Sequence, residues 1–549
     1  MMRRLFALLM TLTLAGCASL PTEIDVQSGP ELIPLEQQEF AYYSPASPEE
    51  GASPQEIVSG FLAAGTGPQN DYSVAREYLS EAFATRWKPD AQTLVRVGVP
   101  LYQSAGENLQ VIDITVGARV DENGRYQDLV PDQVSLRFQL AQEDGEWRIT
   151  SAPNLTVVTL PVFTVVFSAL PIYFLDTNST QLVPDLRWFP SRASTATRLV
   201  NAVLAGPADW LKETVVSAIP TGTALTVNAV RIVDGVARVD FDANALEANA
   251  RQRGLMLSQL RSTLLQLPGV LDVALSVNNS TQDINPATIP SPLGPTTTFA
   301  LTAEEVLRLS GSEAGVVAGT DDSVAANQPS SFAAVGDGSN IALVGESGLF
   351  RLQRQGLGYA ERQLSDSVYR EIEFDRDGNL WAYNSNASSV TIYDRADAAR
   401  FLETGLEGEL VAGAVSPEGA RVALLVASGE DVVVHLMGVL RDSTGKPFRL
   451  QQGLEFTPVL GDAISVAWQG LTNLRILERT ASGLTALSEY PLTGPREQLN
   501  MPPAIGKRLE SGSTLISSYL LTENAEVWAF SSNAWRRVST EVVDISTGR

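Results

Sequence analysis

The C-terminal half of the chain repeats itself, and this repetition limits the fold more than any other feature. Four hairpins follow one plan: an apolar strand, a polar turn closed by glycine, and a second apolar strand. They are Val335-Gly336-Asp337-Gly338 into 341–344, Phe374-Asp375-Arg376-Asp377-Gly378 into 380–383, Val415-Ser416-Pro417-Glu418-Gly419 into 422–425, and Val466-Ala467-Trp468-Gln469-Gly470 into 474–477. Their closing glycines stand 40, 41 and 51 residues apart. A weaker copy, Leu521-Thr522-Glu523-Asn524 into 527–530, lies further on. A period near 40 with several short strands per unit is the signature of a β-propeller. The repeats predict five or six blades over 331–549, with a start as early as about 300. A flat solenoid fits less well, because each unit reads as several strands and a hairpin.

Composition removes whole classes of chemistry. The chain has 63 acidic and 39 basic side chains among 549 residues, a net charge of −24. Such a body opposes binding to nucleic acid, whose phosphates need clustered Lys and Arg, and it lacks a polybasic grip on anionic lipid. One Cys and one His exclude an intrachain disulfide, a multi-Cys zinc site and a multi-His metal centre.

The lone cysteine is the most informative single residue. Met1-Met2-Arg3-Arg4 precedes an uncharged run over 5–14, and Leu14-Ala15-Gly16-Cys17 follows. A basic flank, a short apolar core and small residues make a secretory signal too short for a permanent span. The sequence resembles the lipobox of bacterial lipoproteins, which implies cleavage after residue 16 and diacylation of Cys17. Two acyl chains suffice for stable anchoring. Loss of Arg3 and Arg4 would leave 37 basic and 63 acidic side chains, net −26. The expected location is the extracytoplasmic face of the cell membrane.

Residues 17–52 read as a Pro-, Glu- and Ser-rich tether. An α+β domain is expected over 53–154. Ser53-Pro54-Gln55-Glu56 is a helix start, and a second helix is predicted from Tyr72 to about Thr85. Strands at 109–120, 133–142 and 146–149 are joined by Asp121-Glu122-Asn123-Gly124 and Glu143-Asp144-Gly145, strong hairpin signals. This order resembles a nuclear-transport-factor-2-like cone. Residues 155–175 carry no charge, but Pro161 and Pro171 with many Val, Thr and Phe favour buried strands over a membrane helix.

The segment 155–284 resembles the GerMN module, named from spore germination proteins. Tyr173-Phe174-Leu175, Leu204-Ala205-Gly206-Pro207, Ile219-Pro220-Thr221-Gly222 and Gly235-Val236-Ala237-Arg238-Val239-Asp240 carry the resemblance. These are turns and caps, not chemistry, and the module implies no catalytic set. A Pro-rich linker is expected over 285–330, with four prolines between Asn285 and Pro295.

No residue pattern specifies an active site. Asp375-Arg376-Asp377-Gly378-Asn379 resembles half a calcium loop, but Asn386 stands where the bidentate Glu would be. A blade turn is the better reading. Asp121-Glu122 and Asp321-Asp322 read as loop charges. His435, in Asp431-Val432-Val433-Val434-His435, reads as a strand-face residue with no nucleophile placed beside it. Trp381, Trp468, Trp528 and Trp535 read as propeller core, unless exposed as a binding face. No catalytic residue, metal or cofactor is expected.

With Leu182-Val183-Pro184-Asp185-Leu186-Arg187-Trp188-Phe189-Pro190 and Ala64-Gly65-Thr66-Gly67-Pro68, nearly the whole chain resembles the LpqB family of actinobacterial lipoproteins. The resemblance implies a non-catalytic accessory of the MtrA–MtrB two-component system. It would meet the extracellular domain of the sensor kinase MtrB, in cell-envelope homeostasis and division. A binder of cell-wall glycan or peptide stands beside it, and a wall-cleaving enzyme behind both. An exposed Trp or Tyr cluster in a cleft would favour the glycan binder, facing carboxylates the enzyme, and a broad apolar patch the protein partner.

Overall fold

The repeat glycines 338, 378, 419 and 470 all take left-handed φ, between +62° and +76°, a region that costs glycine nothing. Each closes the turn between the first two strands of a blade. The computed structural model that places them describes residues 45–549, apart from 311–312, 430, 513–517 and 532–533. Cys17, the signal 1–16 and the tether as far as residue 44 lie outside the described residues.

Six antiparallel four-stranded sheets form the propeller. Their inner strands are Ser331–Ala334, Glu371–Phe374, Glu409–Val415, Asp462–Gln469, Gly506–Ser511 and Val542–Gly548. Each packs on the next, and the last returns to the first. These sheets are numbered blades 1 to 6 in that order. Blade 6 corrects the expected linker. Its inner strand pairs with Thr297–Thr302, followed outward by Val306–Ser310 and Glu313–Val316. The two ends of the propeller sequence thus share one sheet, which removes the open edges a broken ring would expose. Phe299, Ala300 and Leu301 are buried there, so a linker remains only over 285–296.

The fifth sequence copy is also corrected. It joins Ser518–Thr522 to Val527–Ser531, the second and third strands of blade 5, one strand out of phase with the others. The long 51-residue spacing has a structural cause. In blade 3 the two outer strands, Asp431–Arg441 and Pro447–Phe456, have 11 and 10 residues, against five each in blade 2. Their extra length reaches the GerMN-like domain.

The N-terminal domain wraps its helices over a sheet ordered Glu146–Ser151, Tyr126–Glu143, Leu109–Asp121, Gln92–Ser104, Thr156–Thr159. Ser53 caps the helix Pro54–Ala64 in a capping box with Glu56, burying Ile57, Val58 and Phe61. The second helix does not run through 72–85. It splits into Ser73–Glu77 and Glu81–Ala84. The backbone between them pairs with the sheet: Ile149 N donates to Tyr78 O at 2.9 Å and Ser80 N to Ile149 O at 2.9 Å. Ser80 then caps the next turn.

The uncharged stretch is only partly the strands expected. Thr156–Thr159 pairs in parallel with Thr93–Arg96, so it belongs to the first sheet and moves the boundary from 155 to about 160. Leu160–Val166 is a helix opened by Pro161, with Phe163 buried. Phe167–Asp176 then enters the GerMN-like domain. No helix among the described residues is long and apolar enough to cross a membrane.

The GerMN-like domain has two sheets, Leu182–Pro190/Phe167–Asp176/Val215–Val216 and Ser280–Thr281/Asp272–Val277/Val236–Phe241/Arg231–Val233. Helices Thr195–Ala205 and Ala250–Leu264 share their core through Leu199, Val203, Leu260 and Leu264. The strand Leu182–Pro190 is buried almost throughout because it touches all three domains. Arg187 Nη1 donates to Asn123 O of the first domain at 3.2 Å. Trp188 Nε1 donates to Thr493 O of blade 4 at 2.8 Å, and Arg421 Nη1 of blade 3 to Pro184 O at 3.3 Å.

Candidate interaction surface

The residues singled out for chemistry fall into structural roles. Asp375 Oδ1 accepts from Asp377 N and Asn379 N, both at 2.9 Å, and Oδ2 from Trp381 Nε1 at 3.2 Å. The calcium-like run is therefore a blade turn nailed by its own carboxylate. His435 lies on the third strand of blade 3, with Nδ1 3.7 Å from Glu455 Oε2. Burial lowers its pKa and Glu455 opposes that. Trp381 and Trp468 are core. Trp528 and Trp535 are half-buried, their Nε1 groups donating to Glu526 Oε2 at 3.1 Å and Asn500 O at 2.9 Å. Among the described residues no Trp is exposed, and no group of three or more His, Cys, Asp and Glu is arranged for a metal.

Among the described residues a dense cluster of carboxylates lies at the centre of the propeller. The inner strands there present N–H groups that no further strand can accept from, so neighbouring blades supply acceptors. Gly413 N donates to Glu371 Oε2 at 3.1 Å, Val415 N to Glu373 Oε1 at 2.6 Å, and Phe332 N to Asp544 Oδ2 at 3.1 Å. Arg508 sits among Glu371, Glu510 and Asp544 at 2.9, 3.1 and 3.2 Å. Burial raises Glu373 to about 8, against the Tyr383 hydroxyl that donates to it. Burial likewise raises Glu510 to about 7, against Arg508. These groups tie blades together.

An open cleft of about 520 Å³ does run along the seam between the GerMN-like domain and blades 2 and 3. Its lining is polar, without an aromatic side chain. The main charges in it are already engaged. Asp377 pairs with Arg441 at 3.1 Å, Asp394 with Lys446, and Asp176 Oδ1 accepts from Thr180 N and Gln181 N, both at 2.6 Å.

The first domain carries exposed apolar residues on two facing irregularities of its sheet. Its strand Gln92–Ser104 is covered by Thr156–Thr159 only as far as Arg96. Beyond that, the pairing with Leu109–Asp121 skips from Val97↔Thr115 to Leu101↔Asp113, so Gly98, Val99 and Pro100 bulge. On the far side of the same middle strand, pairing skips from Val116↔Asp132 to Ala118↔Asp128, and Leu129, Val130 and Pro131 bulge. Each bulge carries a Val-Pro dipeptide, as expected where proline cannot donate to a ladder. Val99 and Val130 are each 89% exposed and Leu101 62%. Arg96 fastens the first bulge by donating to Gly98 O. The bulges flank the same middle strand, one opposite Ile114 and the other opposite Gly117. Together they form an apolar ridge on an otherwise charged protein, the kind of feature that marks an interaction site.

The sequence reading missed this ridge because it assigned no strand to 92–104. The two Val-Pro dipeptides were the available signal.

Three family models match the chain: "Lipoprotein LpqB, N-terminal domain" over 47–164, "Sporulation and spore germination" over 171–283, and "Lipoprotein LpqB beta-propeller domain" over 304–545. A protein named Lipoprotein LpqB from Bifidobacterium longum is 27% identical over 538 residues, covering 92% of this chain and 91% of that one. Its namesake in Streptomyces coelicolor is 26% identical, covering 90% and 88%. Among solved structures, that of a nidogen/laminin complex aligns with a TM-score of 0.36 at 13% identity, covering 46% of this chain and 99% of that one.

Proposed function

Because this chain belongs to the LpqB lipoprotein family, we propose that it is a non-catalytic accessory of a membrane sensor kinase. In this reading Cys17 carries the lipid anchor, the protein stands on the extracytoplasmic face, and it takes part in cell-envelope homeostasis and division. The kinase's extracellular domain would be the partner. The observation that carries this choice of partner is the ridge of Val99, Leu101 and Val130 on the first domain. Burying three such side chains contributes ~1.5–3 kcal/mol each, enough to anchor a protein contact.

The other reading, a binder of wall glycan, needs an aromatic platform for sugar rings. The seam cleft lacks aromatic residues and no Trp among the described residues is exposed, which favours the protein partner.

A photo-crosslinking amino acid at position 99 or 130 in living cells tests this, with Leu357 of blade 1, 94% exposed, as the reference position. Adducts with the kinase from 99 and 130 but not from 357 are expected. Adducts only with wall polymer, or with the kinase only from 357, contradict the assignment.

A further inference from the structure

Asn70, Asp71 and Tyr72 have φ of +46°, +57° and +57°. Three consecutive left-handed residues, none of them glycine, form a turn that sterics disfavour at every position. Within the first domain it is held by Arg76, whose Nε donates to Asp71 O at 2.9 Å and Nη2 to Asp71 Oδ2 at 2.6 Å. The remaining clamps come from the GerMN-like domain. The Arg192 guanidinium lies 5.5 Å from the centroid of the buried Tyr72 ring. Its Nη1 is 3.7 Å from Asp71 Oδ1, and its Nη2 donates to Asp90. Arg198 Nη1 is 2.6 Å from Asp90 Oδ1.

A second sign of cost lies in the same contact. Arg192 Nε and Arg198 Nε are buried with no acceptor in the protein. Buried donors in folded proteins are nearly always satisfied, so two orphans side by side mark a contact that is closed at a disadvantage. Away from the arginines, the two domains share an apolar cluster of Tyr126, Phe163, Phe167 and Trp188. That cluster has no strained backbone and can act as a pivot.

The strained turn also stands close to residues 45 and 46. Pro45, the first described residue, packs so close to Gly67 that a Cβ there would lie 3.0 Å from its Cδ. Tyr78 Oη donates to Ala46 O at 2.9 Å.

We propose that the first domain is a head hinged on the GerMN-like domain. Arg192 and Arg198 latch it shut on Asp71 and Asp90, and the turn 70–72 relaxes when the head swings open. Opening releases the left-handed residues and frees both orphaned Nε groups to meet water.

Amide hydrogen exchange on the full chain in detergent tests the latch with two variants of opposite sign. Asp90→Asn weakens the clamp and should speed exchange at 70–76 about tenfold, leaving 421–440 unchanged. Asn70→Gly removes the steric penalty of the closed turn and should slow exchange at 70–76 by roughly three- to fivefold. That glycine relieves the turn whether or not the domains move, so the clamp variant, read at 70–76, carries the distinction from a merely structural turn. If Asp90→Asn does not fold, Arg198→Met replaces it with the same expectation. Unchanged exchange at 70–76 on loosening the clamp, or faster exchange in Asn70→Gly, overturns the proposal.

Discussion

On its propeller side the GerMN-like domain is held by groups that leave nothing unused on the arginine at the seam. Arg421 is fully buried, pairs through Nε with Glu418 at 2.7 Å, and donates to Pro184 O and Leu471 O at 3.3 and 2.7 Å. Its guanidinium stacks 4.8 Å from the Trp468 centroid. Ala420 joins the GerMN-like core. On the opposite side, Arg192 and Arg198 face the first domain with a nitrogen each unsatisfied, against three left-handed residues. Both contacts use arginines on carboxylates, so ion pairing alone does not distinguish them. What differs is the arginine itself: Arg421 uses Nε, Nη1 and Nη2, whereas Arg192 and Arg198 each keep a buried Nε without an acceptor. The fully engaged arginine joins two domains into one body, and the under-used pair, set against a strained turn, holds a third domain in place without fixing it.

The largest test removes the propeller-side arginine. Arg421→Met leaves Glu418 buried and unpaired, and should cost ~3–5 kcal/mol in urea unfolding of the GerMN-like and propeller domains. Adding Glu418→Leu should restore most of that, because a buried pair replaced by apolar groups is often neutral. Arg198→Met, on the head side, should cost far less.

The centre of the propeller gives a pH test independent of either seam. Burial pushes Glu373 up to about 8 and Glu510 up to about 7, above the ordinary carboxylate value near 4.5. The native state then binds more protons than the unfolded chain between these limits, so stability falls as pH rises from about 4.5 to 8. The slope is at most about 1.4 kcal/mol per pH unit for each group. Glu373→Gln should flatten it, measured by urea midpoints at several pH values, and an unchanged slope would remove Glu373 from the account.

Smaller effects separate the seams further. A Cβ at Gly438 would run into the Thr214 side chain of the GerMN-like domain, so Gly438→Ala should cost ~1–3 kcal/mol as overpacking at the propeller seam. Raising salt to 1 M, where the screening length is about 3 Å, should loosen the head contact by under about 1 kcal/mol. Asp90, about a third exposed, is open to that screening, whereas Arg421 and Glu418 are buried beyond it. Exchange rates at 70–76 and 421–440, with and without salt, compare the two directly.

The propeller was legible in the sequence because its turns demand glycine at positive φ, and a demand on φ leaves a fixed residue at a fixed spacing. Closure of the ring was not, since the pairing of 297–302 with 542–548 joins segments with no shared local pattern. The break in period at Gly470 was visible but unexplained, and its cause is a docking contact with another domain. The split at 78–80 escaped notice because tertiary pairing with Ile149 overrides a helical pattern. The motif Leu182–Pro190 carried the family resemblance without a visible physical reason for its residues. Its constraint is contact with three domains at once.

Spin labels on the full chain test the contrast between the two seams most directly, at exposed positions 81 in the head, 251 in the GerMN-like domain and 481 in the propeller. The account predicts one narrow 251–481 distance in the wild type and in Asp90→Asn. It predicts two 81–251 populations, the longer growing in Asp90→Asn. A single 81–251 distance as narrow as 251–481, unmoved by Asp90→Asn, would contradict it.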